Sequence, residues 1–207
     1  WGKACGRVRE AVLGVVRTTR SLVALSVGEE GAMPLNPLQL RGREAVPSLD
    51  LSGKRLGDGS AAVVAAGVSV NEVLTDLNLS YNGIRDEGAA AIAEALRGNE
   101  VLKNLDISYN PIGDEGAAAI AEALRGNAVL TALDVSENSI GPQGAEAIGE
   151  ALAVSGVLTD LDLGYNQIRD EGAAAIAEAL RGNGVLTELH LGANEIGGEG
   201  AKALASA

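Results

Sequence analysis

Apolar positions recur along the chain in a frame that repeats every 28 residues. Leu74, Leu77 and Leu79 precede Asn82; Leu102, Leu105 and Ile107 precede Asn110; Leu130, Leu133 and Val135 precede Asn138. Leu158, Leu161 and Leu163 stand in the same relation to Asn166, and Leu186, Leu189 and Leu191 to Asn194. A looser copy runs through Val46, Leu49 and Leu51, with Lys54 in the place of the asparagine. The last two apolar positions of each set alternate with polar ones, the period of a short strand. After each asparagine the period changes. The string DEGAAAIAEALRGN occurs unchanged from Asp86, Asp114 and Asp170, and within it Ile92, Ala95 and Leu96 share one helical face. Asp86 suits the N-cap of that helix, and Gly98 with Asn99 suits a left-handed residue that ends it.

One strand and one helix cannot bury both of their apolar faces alone; stacked copies can. The pattern predicts an α/β fold, a curved solenoid with parallel strands on the concave face and helices on the convex face. The L-x-x-L-x-L-x-x-N frame joined to G-A-x-A-I-A-E-A-L resembles the ribonuclease-inhibitor-like leucine-rich repeats, over roughly residues 46–207. That subfamily includes the repeat domains of NOD-like receptors and of the Ran GTPase-activating protein. The resemblance implies a protein-binding solenoid, and it implies that the frame asparagines are buried with their amides bonded to loop backbone. Asn82, Asn110, Asn138, Asn166 and Asn194 are assigned to structure on that ground.

Two regions follow. Residues 46–207 form about six repeats of 28 residues, the last incomplete, and residues 1–45 an atypical capping repeat. In the latter, Val12 and Val16 overlay on Ile92 and Leu96, while Leu22, Leu25 and Val27 overlay on Leu102, Leu105 and Ile107. Residues 28–45, with Pro34, Pro37 and Gly42, show no helical stripe and predict an irregular convex crossing. A rival reading takes Arg7, Arg9, Arg17 and Arg20 among valines as a basic amphipathic or targeting segment.

Composition narrows the function. Aromatics are 2% of the chain and Phe is absent, so the core must be aliphatic. Residues 1–48 hold seven Lys or Arg against four acids, so the remainder carries −15 of a total of −12. So acidic a repeat body argues against nucleic acid, which needs clustered Lys and Arg. Cys5 is the only cysteine, which forbids an intrachain disulfide and fits a reducing, intracellular and most simply cytoplasmic setting. An organelle remains open if the first segment follows a removed targeting peptide. No apolar run is long enough to cross a membrane.

The frame places two columns of strand residues on the open face. One is Asp50, Asn78, Asp106, Asp134, Asp162 and His190; the other is Ser48, Asp76, Asn104, Ala132, Asp160 and Glu188. Neither contains Lys or Arg. Two readings stand side by side, an acidic surface that receives a basic protein and a solvated face that keeps a repetitive chain soluble. Tyr81, Tyr109 and Tyr165 share a third column, just before the frame asparagines, where they are either contact residues or copies inherited by duplication. His190 has no nucleophile placed beside it, so no enzyme is predicted. No cofactor is implied, and no metal loop is present.

The function expected is a protein-interaction module that binds a basic partner through the acidic concave face. Charge reversal at Asp106, Asp134 and Asp162 would then abolish binding with the domain folded. Two alternatives are a structural subunit of a larger assembly, held through helices, ends or the first segment, and a GTPase-activator-like regulator by fold analogy alone.

Overall fold

The computed structural model describes residues 25–27, 33–40, 42, 44 and 46–207. Six three-residue strands form one parallel sheet in sequence order: Ser48–Asp50 (β3), Asp76–Asn78 (β4), Asn104–Asp106 (β5), Ala132–Asp134 (β6), Asp160–Asp162 (β7) and Glu188–His190 (β8). Their register is offset by one repeat throughout, so Leu77 faces Leu105 and Leu105 faces Leu133. Between them lie the helices Gly57–Val68 (α2), Asp86–Gly98 (α3), Asp114–Gly126 (α4), Pro142–Leu152 (α5), Arg169–Leu180 (α6) and Gly198–Leu204 (α7). Each strand–helix unit packs on the next, strands on the concave side and helices on the convex side.

The core is a single aliphatic slab between these layers. Leu79, Ile107, Val135 and Leu163 from the strand exits and Ile120, Ile148 and Ile176 from the helices are fully excluded from solvent. The identical helices bury Gly88, Ala89, Ile92, Ala93, Ala95 and Leu96 and turn Glu87, Glu94 and Arg97 outward. Burying one leucine or isoleucine contributes about 1.5–3 kcal/mol. The repeated apolar set therefore supplies the driving force, and polar ladders set the register.

Two expectations fail near the start of the described chain. Leu25–Val27 (β1) is a strand, but it pairs antiparallel with Met33–Leu35 (β2) in a separate two-stranded sheet and does not enter the solenoid sheet. Five residues join β1 to β2; a parallel return takes a crossover of a dozen or more, so only a hairpin fits. The crossing expected to be irregular also holds one helical turn, Pro37–Leu40 (α1). Pro37 opens it, where a missing N–H costs nothing. Leu40 is buried to 1% exposure and packs against Gly67 of α2. The overlay of Val12, Val16 and Leu22, and the arginines of the basic reading, lie outside the described residues.

Candidate functional site

The concave face is built by the strand residues that point away from the core. Register sets Asp50, Asn78, Asp106, Asp134, Asp162 and His190 side by side across six strands. Ser48, Asp76, Asn104, Ala132, Asp160 and Glu188 form the parallel row. All of them but Asp50 line an open groove of about 380 Å³, whose lining contains six acids and no Lys or Arg. At strand spacings of about 4.8 Å the carboxylates of Asp106, Asp134 and Asp162 are neighbours.

These side chains also have local work. Oδ1 of Asp106 accepts the N–H of Ser108 at 2.9 Å and its hydroxyl at 2.7 Å. Asp134 does the same with Ser136, and Asn78 with Ser80. Asp162 accepts the Gly164 N–H at 2.8 Å, and Asp50 that of Ser52 at 2.9 Å. Each closes an Asx turn that bends the chain out of the strand. Asn78 does this without charge, so the turn needs the oxygen and not the anion. The Ser52 backbone N–H bonded to Asp50 holds its carboxyl below the ordinary value. Asp76 is lowered too, first by the Thr75 hydroxyl and then by the Asn104 amide. His190 stands in register with Asp162; no ion pair joins them among the described residues.

The tyrosine column has a backbone property that its residue type conceals. Tyr81, Tyr109 and Tyr165 take φ of 57°, 52° and 53°, as do Glu137 and Ala193 at 52° and 54°, with Gly53 at 65°. Every strand of the six-stranded sheet therefore exits through one left-handed residue, a conformation that side chains other than glycine adopt at a cost of about 1–2 kcal/mol. The bonds around it compensate: Tyr81 donates its N–H to Ser108 O and Tyr109 to Ser136 O. The rings of Tyr81 and Tyr109 stack at a centroid distance of 4.0 Å and an interplanar angle of 14°. Tyr165 is 62% exposed. The hydroxyl of Tyr81 bonded to Tyr109, with the Glu137 carboxylate nearby, pushes the Tyr109 hydroxyl up to about 12.

Behind the turns runs the asparagine ladder. Oδ1 of Asn110 accepts the N–H of Asn82 and of Ile84 at 3.0 and 2.9 Å, and its amide donates to Leu79 O, Ile107 O and Ser108 O. Asn82 repeats the pattern with Lys54, Leu56, Leu51, Leu79 and Ser80. Amides of Asn138, Asn166 and Asn194 each donate across one repeat, to Ile107 O, Val135 O and Leu163 O. Among the described residues, no buried side-chain polar atom lacks a partner.

Two further ladders were not read from the sequence. At the helix ends, Asn99 is extended (φ −87°, ψ 125°), which corrects its reading as a left-handed cap. Its amide bonds Val68 O and Asn71 O, and its oxygen accepts Val101 and Leu102 N–H. Asn71, Asn127 and Asn183 do likewise. Their spacing of 28 residues, with Ser155 in place of one asparagine, was the available signal. At the helix starts, Asp86 does not cap its own helix. Its Oδ1 accepts the N–H of Gly113 and Gly116 at 2.8 and 2.9 Å, capping the helix of the next repeat. A Cβ on Gly116 would meet that oxygen at 2.7 Å, so the glycine makes room for the carboxylate. Asp58, Asp114 and Asp170 each cap the following helix in the same way. Pro142 interrupts the series. Without its carboxylate, the Arg169 N–H turns to Asn194 O, and Arg169 becomes left-handed at φ 59°.

The described residues contain no group of three or more His, Cys, Asp or Glu placed to hold a metal ion, and no helix long and apolar enough to cross a membrane. A family model described as Leucine Rich repeat matches residues 70–93, 98–121, 126–149, 157–177 and 182–205. Among solved structures, the chain is similar to the leiomodin-1 actin-binding site 2 at 21% identity and a TM-score of 0.61, covering 70% of this chain and 84% of that one. It is also similar to the C-terminal domain of a Caenorhabditis elegans tropomodulin, at 10% identity and a TM-score of 0.54, covering 96% of this chain and 89% of that one. At such identities the likeness is one of fold. No curated protein matches the sequence significantly.

Proposed function

Since the chain belongs to the leucine-rich repeat family, we propose that it is a protein-interaction module whose concave face docks a partner with a basic surface. What supports this is the groove lined by six acids and no Lys or Arg. Facing acids of like sign lose some stability when solvated and gain when a cation lies between them. The rim, half-exposed and aromatic, adds contact area with a polar tip.

The test has to separate charge from fold. Reversal to lysine at Asp106, Asp134 and Asp162 would remove the turn acceptors as well as the charge, so loss of binding would not be specific. Substituting asparagine at all three keeps an oxygen in place, as Asn78 does naturally. A labelled hexalysine peptide is the probe, with fluorescence anisotropy as the readout. Three lost ion pairs at about 0.2–1 kcal/mol each predict a loss of roughly tenfold. A matched triple on the convex face, Glu87→Gln, Glu115→Gln and Glu171→Gln, should change little. Equal losses from the two triples would sink the concave reading. Co-sedimentation with actin filaments adds a specific partner to the assay, since the similar leiomodin-1 structure is that of an actin-binding site.

A further inference from the structure

The rim of the concave face brings two identical, oxidisable side chains into contact. Tyr81 and Tyr109 stack with ring centroids 4.0 Å apart and planes 14° from parallel. They are 57% and 41% exposed, so a reagent in solution reaches both. Their roots are held alike. Both residues are left-handed, at φ 57° and 52°, and each donates its N–H to the next repeat, at Ser108 O and Ser136 O. One repeat step therefore carries one ring nearly onto the other, atom for atom. Corresponding carbons, including those ortho to the two hydroxyls, lie about as far apart as the centroids do. Tyr165 is just as exposed but makes no ring contact among the described residues. Competing sites are few, since the chain has three tyrosines, one tryptophan, one cysteine and one methionine.

We propose that Tyr81 and Tyr109 form an oxidative cross-linking site, joined through their ortho ring carbons as a dityrosine when the protein meets a one-electron oxidant of the peroxidase class. Each phenol gives up one electron and its hydroxyl proton, leaving a phenoxyl radical whose unpaired electron extends to the ortho carbons. The two radicals form one C–C bond. Each bonded carbon then passes its proton to its own oxygen, which restores both phenols. The net change is the loss of two hydrogen atoms, taken up as one molecule of hydrogen peroxide becomes two of water. A radical elsewhere on a protein waits for a partner to diffuse to it, whereas here the partner is already in place. Closing the remaining distance takes only rotation of two exposed side chains, which is fast. The new bond ties residues 28 apart, at the exits of β4 and β5, and restrains the unfolded chain as other cross-links do. It does not depend on what the groove binds.

Photoexcited tris(bipyridine)ruthenium with persulfate supplies the one-electron oxidation, dityrosine fluorescence reports the product, and peptide mass spectrometry locates it. The full chain in dilute solution should give a monomer lighter by two hydrogens, with residues 81 and 109 linked. Its yield per chain should not change with protein concentration. Tyr81→Phe and Tyr109→Phe each keep a ring in the stack but remove a phenol, and each should abolish the monomeric product. Tyr165→Phe should leave it at the wild-type level. In urea the same oxidation should lose most of the monomeric yield, because unfolding separates the rings. The site is overturned if Tyr81→Phe retains monomeric dityrosine, if urea leaves its yield unchanged, or if the folded protein couples only between chains. It is equally overturned if the folded protein does not couple under light that couples free N-acetyltyrosinamide.

Discussion

Replacing Pro142 with aspartate should stabilise the protein. At four other boundaries a carboxylate from the preceding helix takes two N–H groups at 2.7–3.0 Å. At the α5–α6 boundary the proline offers nothing, the Gly172 N–H falls back on Ile168 O at 3.2 Å, and Arg169 is left-handed. The glycine that admits the carboxylate is already there as Gly172. A restored cap contributes about 1 kcal/mol, and release of Arg169 from the left-handed region about 1–2 kcal/mol. Losing proline costs about 0.4–1 kcal/mol through a freer unfolded chain. The net gain is about 1–2.5 kcal/mol, or a rise of roughly 2–10 °C in Tm for a chain of this length. Thermal unfolding followed by circular dichroism measures it, and amide exchange at Gly172 and Arg169 localises it. An unchanged or lower Tm, with Gly172 exchanging as before, would refute the account of the cap and of the left-handed arginine together.

Asn110→Ala strips partners from two N–H groups and three carbonyls in the buried turn, and should cost about 3 kcal/mol or more by denaturant unfolding; a loss below 1 kcal/mol would mean that the ladder is replaceable by water. Asp76 has a folded pKa lowered from 3.8. Its contribution is therefore fully present above that value and is lost as pH falls through the lowered one. Asp76→Asn should flatten the acid limb of the stability profile, and an unaltered limb would contradict the Thr75 and Asn104 bonds.

The fold was legible because its signals are local and repeated. Leu77 and Leu79 alternate, Ile92, Ala95 and Leu96 share a face, and both patterns recur at one spacing, so strand and helix positions follow from periodicity alone. What escaped was contact between repeats. Asp86 at a helix start reads as the cap of that helix, and only the stacked geometry reveals that its oxygen reaches Gly113 and Gly116 instead. The tyrosine column hid its left-handed backbone because Tyr rarely signals one; Gly53 was the single hint. The hairpin of β1 and β2 was missed for a similar reason. The overlay of Leu25 and Val27 matched residue types but read residues 28–45 as a crossing, and so passed over Met33–Leu35 as the strand that pairs with them. For the candidate site, the acids and tyrosines were identifiable by column, whereas the Asx turns that also employ Asp106 and Asp134 depend on backbone geometry.

The ladder bonds that tie one repeat to its neighbour reach across fixed sequence offsets, as Asn110 does to Ile84 and Asp86 to Gly116. The DNA encoding three identical 14-residue strings is therefore a natural place for unequal exchange, since joining any two of them preserves each offset. A unit gained or lost in this way leaves no partner unmatched at the junction. Each added unit would lengthen the docking surface by one strand spacing, about 4.8 Å, and extend each of its residue columns by one position. Reach toward a partner thus becomes a countable, inheritable quantity, adjustable in whole steps while the chemistry of each step stays the same.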